Sequence, residues 1–273
     1  MAKSHIFLTL GEIQSFKKRS MSNHEFETQV KKNIEGLGRD PLLKKKAWQW
    51  AIEASEKYNY TYNFLWGGLP IIQFPQDVMA MQEIFWSTKP DLVIETGIAR
   101  GGSLSFWSSL MCLLDTYEGL DPRKSIRKVV GVDIDIRPHN RKALDEHPLR
   151  FKMELIEGSS IDPDIIKQVL NHSDGVERVL VSLDSNHTHE HVLAELNAYA
   201  DLVSVGSYCI VFDTAIEDLP AGSFPDRPWD VGNNPKTAVH EWLKTHPEFE
   251  IDKDIDNKLL ISVAPDGYLK RVG

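Results

Sequence analysis

The stretch Asp91-Leu-Val-Ile-Glu-Thr-Gly-Ile-Ala-Arg-Gly-Gly-Ser103 decides how the rest of the chain is interpreted. Its residues 92–94 form a short apolar run, which predicts a buried strand. Glycines follow directly, and the apolar segment from Leu104 to Leu114 predicts a helix. A strand, a glycine-rich turn and a helix N-terminus in this order commonly bind the anionic or polar part of a cofactor. Glycine lets the backbone approach closely, and the N–H groups of the first helical turn point at the ligand.

The acidic side chain of Glu95 narrows the class of cofactor. A carboxylate at this strand end would repel a pyrophosphate but would attract an ammonium group. The loop therefore resembles the E/D-x-G-x-x-x-G loop of class I methyltransferases, which holds the amino-acid end of S-adenosylmethionine (SAM), more than it resembles a dinucleotide fingerprint. The alternative is a cluster of turn glycines such as any α/β protein can contain. The candidate cofactor-binding residues in this stretch are Glu95, Thr96, Gly97, Gly101, Gly102 and Ser103.

Composition indicates a folded, cytoplasmic protein. The chain has 273 residues, of which 41% are hydrophobic and 26% charged, so a large core is expected. The net charge of -9 and the lack of a long basic run argue against nucleic-acid binding. Cys112 and Cys209 lie in predicted buried elements, which favours a reducing compartment and neither a disulfide nor a zinc site. No apolar run is long enough to span a membrane, and Ile6–Leu10 is too short for a secretory signal.

The chain divides into a helical N-terminal extension, residues 1–60, and a SAM-binding domain, residues 61–273. The segment Tyr58–Pro75 is rich in aromatic residues, glycines and prolines, so we expect a structured loop. It either contacts a ligand or fills the space between the extension and the core. Leu219–Pro235 contains many prolines and glycines and is long enough to be a lid. The exposed aromatic residues and the extension favour a homo-oligomer.

Strands and helices are predicted to alternate along the domain. After the first strand, further strands are predicted at 128–135, 150–157, 178–184, 208–213 and 258–263, and helices at 76–86, 162–170, 191–202 and 236–246. Such alternation predicts an α/β fold with a doubly wound, mostly parallel sheet of the Rossmann-like type. Ligands of these sheets bind at the carboxyl ends of the strands.

Polar side chains end five of the predicted strands: Glu95, Asp133, Ser159, Asp184 and Asp213. Four carboxylates in one crevice repel each other, so positive groups must lie among them. The SAM ammonium suits Glu95, and ribose hydroxyls suit either Asp133 or Asp135, although Asp133 follows Gly97 by about 35 residues instead of the usual ~20. Ser159 is a further candidate for cofactor binding.

Asp184 and Asp213, with neighbouring Asn186 or Thr214, offer hard oxygen ligands that suit Mg²⁺. The alternative for each aspartate alone is a helix cap or a turn residue.

Three histidines lie within Asp184-Ser-Asn-His-Thr-His-Glu-His191. Their spacing does not aim all three at one point on a helix, and no cysteine accompanies them, so a zinc site is disfavoured. Imidazole titrates near neutral pH, which makes His187 a candidate general base beside the metal. His189 and His191 are then expected at the surface or behind the site.

Six motifs together resemble the cephalosporin hydroxylase / rhamnosyl O-methyltransferase family. The resemblance extends from about Tyr58 to the C-terminus. The six motifs are Ile94-Glu-Thr-Gly-Ile-Ala-Arg-Gly-Gly-Ser103, Gly131-Val-Asp-Ile-Asp135, Leu183-Asp-Ser-Asn-His187, Ser207-Tyr-Cys-Ile-Val-Phe-Asp213, Asn234-Pro-Lys-Thr-Ala238 and Pro265-Asp-Gly-Tyr-Leu-Lys270. The resemblance implies a metal held by an Asp after the fourth strand and by an acidic pair after the fifth. Asp184 and Asp213 match two of these acids, and Thr214 stands where the other member of the pair would be. Similarity to catechol-type methyltransferases places His187 at the position of the catalytic base.

The resemblance implies a SAM-dependent O-methyltransferase that requires Mg²⁺ and acts on a hydroxyl of a small molecule or a sugar. Asp184 and His187 would then be its catalytic residues. Two alternatives remain at this stage. A nucleotide-dependent oxidoreductase on the same sheet is disfavoured by Glu95 and by the missing G-x-G-x-x-G motif. A non-catalytic module that binds SAM or a nucleotide is disfavoured by Asp184 and His187.

Overall fold

The computed structural model describes residues 22–273. Two helices open this part of the chain, α1 (Asn23–Gly38) and α2 (Pro41–Tyr58). Ser22 and Glu25 form a capping box at the start of α1, and the Asp40 side chain accepts a hydrogen bond from Leu43 N at the start of α2. Both helices agree with the expected helical extension, whose boundary at residue 60 stays a prediction. Residues 1–21, including Ile6–Leu10, lie outside the described part.

The aromatic segment that follows α2 is structured, as expected. It contains a 3₁₀ turn (Tyr60–Asn63) and a short hairpin in which Leu65–Trp66 pairs with Leu69–Pro70. The Trp66 indole donates to Ser109 Oγ at 3.0 Å, which fixes the hairpin to the helix after the first strand of the main sheet. The segment ends at α3 (Pro75–Thr88), where Pro75 occupies the first helical turn.

The remaining elements alternate along the chain. They are β1 (Leu92–Thr96), α4 (Gly102–Tyr117), β2 (Lys128–Asp133), α5 (Pro138–Asp145), β3 (Met153–Glu157), α6 (Pro163–Ser173), β4 (Val179–Leu183), α7 (His189–Tyr199), β5 (Tyr208–Val211), α8 (Pro235–Trp242), β6 (Phe249–Ile251), α9 (Lys253–Leu259) and β7 (Tyr268–Arg271). The sheet has seven strands in the order β3-β2-β1-β4-β5-β7-β6. Strands β1 to β5 are parallel, whereas β7 runs antiparallel to both of its neighbours. The predicted doubly wound, mostly parallel sheet is therefore confirmed.

The prediction of a strand at 258–263 is wrong. Asp252 accepts a hydrogen bond from Asp254 N and begins α9, which extends to Leu259, and Leu260 then takes a positive φ of 62°. Beyond it, Ser262 Oγ and Val263 N donate to the buried carboxylate of Asp77. A short apolar run does not distinguish a strand from the buried end of a helix, and here the helix cap decided the outcome.

The sheet is covered on both faces, which explains its continuous apolar strands. Val93 and Ile210 pack into the core on the side of α3 and α4, whereas Ile94 and Val181 pack on the side of α7 and α8. Polar side chains are therefore left for the carboxyl ends of the strands. Within residues 22–273, no helix combines the length and the apolar character needed to cross a membrane.

Candidate active site

The site lies where the carboxyl ends of β1 and β4 meet, at the point where the strand order reverses. The amide N–H of Asp184 donates to the Thr96 carbonyl at 2.9 Å, so the two strand ends are joined. Gly97 has φ of 88°, and a Cβ at this position would lie 1.9 Å from the Asp184 carbonyl oxygen. Only glycine fits this contact, which means that the glycine loop and the Asp184 loop determine each other's position.

Three of the predicted residues form one cluster: Asp184 after β4, His187 in the loop before α7, and Asp213 after β5. One ligand atom from each lies within 4.8 Å of the other two. His187 Nε2 is 3.1 Å from Asp213 Oδ2, and the side chains of His187 and Asp213 are 17% and 36% exposed. The cluster can therefore be reached from solvent. Two carboxylates and an imidazole are a donor set that suits a divalent cation.

The electrostatics of the cluster also call for a positive charge. Burial, followed by the nearby charges of Asp213 and Glu95, raises the pKa of Asp184 well above its usual range. The nearby like charges disfavour ionisation of Asp184, and a bound cation reverses the effect. The residues present therefore fit Mg²⁺.

Gln73, which precedes α3, is a site residue that the sequence analysis did not identify. Its Nε2 donates to Asp184 Oδ2 at 3.2 Å, and the side chain is only 4% exposed. The available signal was a single amide in the otherwise apolar run Ile71-Ile-Gln-Phe74. The aromatic segment Tyr58–Pro75 thus contacts the cluster through Gln73.

Thr214 and Asn186, the two further candidates for metal binding, have other partners. Thr214 is fully buried, and its hydroxyl donates to the Pro265 carbonyl at 2.7 Å. Asn186 Oδ1 accepts hydrogen bonds from the backbone and the side chain of Thr188, just before α7. Thr214 Oγ1 can still accept one more bond, so its role as a ligand stays a prediction.

The three histidines diverge in the structure. His189 Nδ1 is 2.8 Å from Thr237 Oγ1, and its Nε2 is 3.3 Å from Glu241. His191 Nε2 is 3.0 Å from Ser160 Oγ, at the side of the buried Glu195. Among the described residues, His187 is the histidine of the metal-type cluster. This arrangement agrees with the argument that the three rings do not share one ion.

The proline- and glycine-rich segment Leu219–Pro235 reaches the cluster through Trp229. The indole contacts the His187 ring at a centroid distance of 4.7 Å and an interplanar angle of 82°. The base of the segment is fixed, because Gly232 N donates to Glu217 Oε2 at 2.8 Å and Asn234 Nδ2 donates to the same carboxylate. The segment has no helix or strand, apart from a bridge between Asp230 and Asn233. Its location suits a lid over the acceptor.

Glu95 lies beneath the glycine loop and is 2% exposed. Ser103 Oγ donates to one of its carboxylate oxygens at 2.7 Å, and the Trp107 indole donates to the other at 2.9 Å. Burial is the largest influence on this carboxyl and raises its pKa to about 7. A neighbouring cation would restore the charged form, which agrees with the predicted ammonium contact.

Asp133 holds the glycine loop in place. Its Oδ2 accepts hydrogen bonds from the N–H groups of Ile98 and Ala99 at 2.9 and 3.1 Å, and its Oδ1 accepts from Asp135 N at 3.1 Å. Asp135 is exposed. The choice between these two acids for the ribose stays a prediction, since Asp133 carries a structural role in addition.

The other predicted cofactor residues lie at the same edge of the sheet. A Cβ on Gly102 would lie 2.2 Å from the Pro70 carbonyl oxygen, so this glycine lets the aromatic segment approach the start of α4. Gly101 caps the N-terminus of α4, Thr96 is fully buried, and Ser159 follows β3 half-buried. The Thr96 hydroxyl has no hydrogen-bond partner within residues 22–273. Their contact with SAM stays a prediction.

Comparisons with known proteins identify the family. Residues 58–272 match the family described as Rhamnosyl O-methyltransferase/CmcI. The rhamnosyl O-methyltransferase of Mycobacterium tuberculosis is 30% identical over 227 residues, which cover 80% of this chain and 84% of that protein. That of Mycobacterium leprae is 27% identical over 226 residues, which cover 80% of this chain and 90% of that protein.

Among solved structures, CmcI with bound SAH has a TM-score of 0.52 at 20% identity and covers 86% of this chain and 94% of that chain. This likeness supports the fold. The family match extends over most of the chain and begins at the aromatic segment, where the sequence resemblance also begins. The predicted family is thereby confirmed: this chain belongs to the rhamnosyl O-methyltransferase/CmcI family.

Proposed function

We propose that this protein transfers the methyl group of SAM to a sugar hydroxyl, with Asp184 and Asp213 as ligands of its cation and His187 beside them as its general base. One observation carries the proposal. One ligand atom from each of Asp184, His187 and Asp213 lies within 4.8 Å of the other two, and the Asp184 backbone contacts the glycine loop after β1. A cofactor loop and a cluster of hard ligands at one strand edge are what metal-assisted methylation of an oxygen requires.

The class of activity follows from the family. The protein is a SAM-dependent O-methyltransferase, and SAM and Mg²⁺ are its cofactors. The curated relatives are named for methylating rhamnosyl groups, and one CmcI structure is described with Mg and SAM. A deoxysugar hydroxyl is therefore the acceptor that the relatives favour for this chain.

The charged cluster explains how an alcohol becomes a nucleophile. When bound, Mg²⁺ supplies a positive charge that lowers the pKa of a coordinated hydroxyl. His187 Nε2 accepts the hydroxyl proton, and Asp213 Oδ2, which lies 3.1 Å from that nitrogen, stabilises the resulting imidazolium. The reaction forms a bond between the acceptor oxygen and the methyl carbon and breaks the bond between that carbon and sulfur. Trp229 contacts the His187 ring, and Gln73 donates to Asp184.

The test is a methylation assay on the purified protein. Methyl α-rhamnoside, a rhamnosyl lipid and a catechol are incubated with SAM and Mg²⁺, and S-adenosylhomocysteine and methylated product are measured by mass spectrometry. The proposal expects product from a rhamnosyl probe, loss of product in EDTA, and recovery with added Mg²⁺. Methylation that is unaffected by EDTA would remove the metal from the mechanism. Methylation of the catechol alone would exclude a sugar hydroxyl as the methyl acceptor.

A further inference from the structure

Gln73 is anchored to the cluster in a defined orientation. Its side chain is 4% exposed and lies 3.2 Å from Asp184 Oδ2 through Nε2. The amide nitrogen of Gln73 faces Asp184 Oδ2 and donates to it, as an amide N–H does to a carboxyl oxygen. This contact fixes the direction of the carbonyl oxygen Oε1, which is bonded to the same carbon as Nε2.

The carbonyl oxygen of Gln73 is buried and has no hydrogen-bond partner among the described residues. A buried acceptor of this kind has lost its hydrogen bonds to water, so an unpaired one calls for a partner. The neighbouring side chains Asp184 and Asp213 are carboxylates, which in their ionised form offer no proton. A group bound at the cluster can supply the missing donor.

We propose that Gln73 is a positioning residue of the cation site. Its Nε2 holds Oδ2 of Asp184, which leaves Oδ1 for the cation, and its Oε1 accepts a hydrogen bond from an O–H group bound to that cation. The O–H group is a water in the binary complex and the acceptor hydroxyl during turnover. This inference rests on the proposed function, because it assumes that the cluster binds Mg²⁺.

The chemistry of an amide suits this position better than that of its alternatives. A glutamate would add a third carboxylate beside Asp184 and Asp213 and would increase their repulsion. An apolar residue would leave Asp184 Oδ2 without its donor. Hydrogen bonds that orient a metal ligand typically contribute 10- to 100-fold to metal affinity.

The experiment measures Mn²⁺ binding by electron paramagnetic resonance and Mg²⁺ binding by calorimetry, both without acceptor. The test variants are Gln73→Leu and the less disruptive Gln73→Met. The matched control is Gln76→Leu, since Gln76 also has a buried carbonyl oxygen with no partner among residues 22–273 but makes no hydrogen bond to Asp184. We expect the affinity for both ions to fall about tenfold or more in the Gln73 variants and less than about twofold in the control.

Two further measurements separate the possible outcomes. Asp184→Asn should lose most of its ion binding, and if it does not, the proposed function fails together with the inference. If Asp184→Asn loses the ion while both Gln73 variants bind it normally, the inference alone is overturned. Weaker SAM binding with unchanged ion binding in the Gln73 variants would also overturn it, because Oε1 would then face the ammonium of the cofactor. Gln73→Met supplies the measurement if Gln73→Leu does not fold.

Discussion

Asp184 is the residue at which the cofactor loop and the proposed metal site meet. Its backbone joins the end of β1, with the amide on Thr96 and the carbonyl against Gly97. Its side chain faces Asp213 and Gln73. A substitution that keeps the shape of this side chain and removes its charge should therefore separate the two functions.

The first prediction concerns Asp184→Asn. We expect it to abolish methylation that depends on Mg²⁺ while SAM binding stays within about threefold, because asparagine preserves the backbone contacts and loses a ligand charge. Calorimetry with SAM and an activity titration with Mg²⁺ provide the two readings. Equal loss of SAM affinity and activity would place Asp184 in the cofactor site instead.

His187→Ala should lower turnover by roughly 10²–10⁴, the usual effect of removing a general base. The affinity for SAM should not change, since the ring contacts Asp213 and Trp229 and not the glycine loop. His189→Ala is the matched control, because that ring points to Thr237 and Glu241. Similar rates for the two variants would exclude His187 as the base.

Glu95 predicts a pH dependence of SAM binding. Its pKa in the folded protein is raised to about 7 by burial, so the carboxyl is mostly protonated below that pH. The ammonium of SAM favours the ionised form, and SAM affinity measured without Mg²⁺ should rise roughly tenfold from pH ~6 to pH ~8.

Rising pH has opposite effects on the two properties: through Glu95 it lowers the stability of the folded protein and increases the affinity for SAM. A carboxyl whose pKa is raised on folding stabilises the folded protein most at acid pH, and this contribution is lost as the pH rises through about 7.

Glu95→Gln removes the titrating carboxyl. The variant should therefore bind SAM more weakly than the native protein at high pH, and its SAM affinity should not change with pH. A profile in Glu95→Gln as steep as in the native protein would assign the titration to another group.

At the scale of elements, the segment Leu219–Pro235 is anchored at its base by hydrogen bonds. Gly222 N donates to Asp230 Oδ2 at 2.8 Å, so the residues on either side of 223–229 are close together. Replacing residues 223–229 by a short glycine linker should lower turnover at least tenfold and leave SAM affinity nearly unchanged, because it removes the Trp229 contact with His187.

Phe224→Ala is the control for this replacement, since Phe224 is exposed on the same segment. The two readings are turnover with a fixed acceptor and SAM binding by calorimetry. A parallel loss of both in the linker variant would mean that the segment belongs to the cofactor site or to the fold.

The elements also show how far sequence reasoning extends. Apolar runs bounded by glycine or a charged residue predicted the strands that β1, β2 and β4 form, because each is buried on both faces. The order of the strands places Asp184 and Asp213 side by side, so their proximity was predictable from the topology. The sequence did not reveal that residues 258–263 form no strand, because the Asp252 cap and the Asp77 contacts depend on tertiary structure.

Gln73 illustrates the same limit for the site. Its contact with Asp184 joins residues 111 positions apart in the chain. A lone amide in an apolar segment carries no periodic or spacing signal, so only the folded chain identifies its partner. The same holds for Asp133, whose contacts with the N–H groups of Ile98 and Ala99 depend on the exact turn of the glycine loop.

On the scale of the whole molecule, a buried ionic network lies away from the proposed site. Asp115 in α4 is fully buried and accepts hydrogen bonds from Arg127 Nη1 and Lys152 Nζ, both at 2.6 Å. Arg127 and Lys152 precede β2 and β3, at the amino ends of the strands. The network thus joins one helix to two strands at the edge of the sheet opposite to the carboxyl ends.

Asp115→Ala should destabilise the fold by about 3–5 kcal/mol, because it leaves the buried Lys152 without its carboxylate, whereas Arg127 keeps Asp91 and Glu118. For a domain of this size, such a loss lowers the melting temperature by roughly 10 °C, which calorimetry measures directly. Glu53→Ala is the matched control, since Glu53 is 3.6 Å from Lys57 on an exposed face of α2 and its loss should cost less than about 1 kcal/mol. At temperatures below its unfolding transition, the Asp115→Ala variant should bind SAM with the affinity of the native protein. Equal melting temperatures for the two variants would mean that solvent reaches the network and that the stability of the sheet rests on its apolar faces alone.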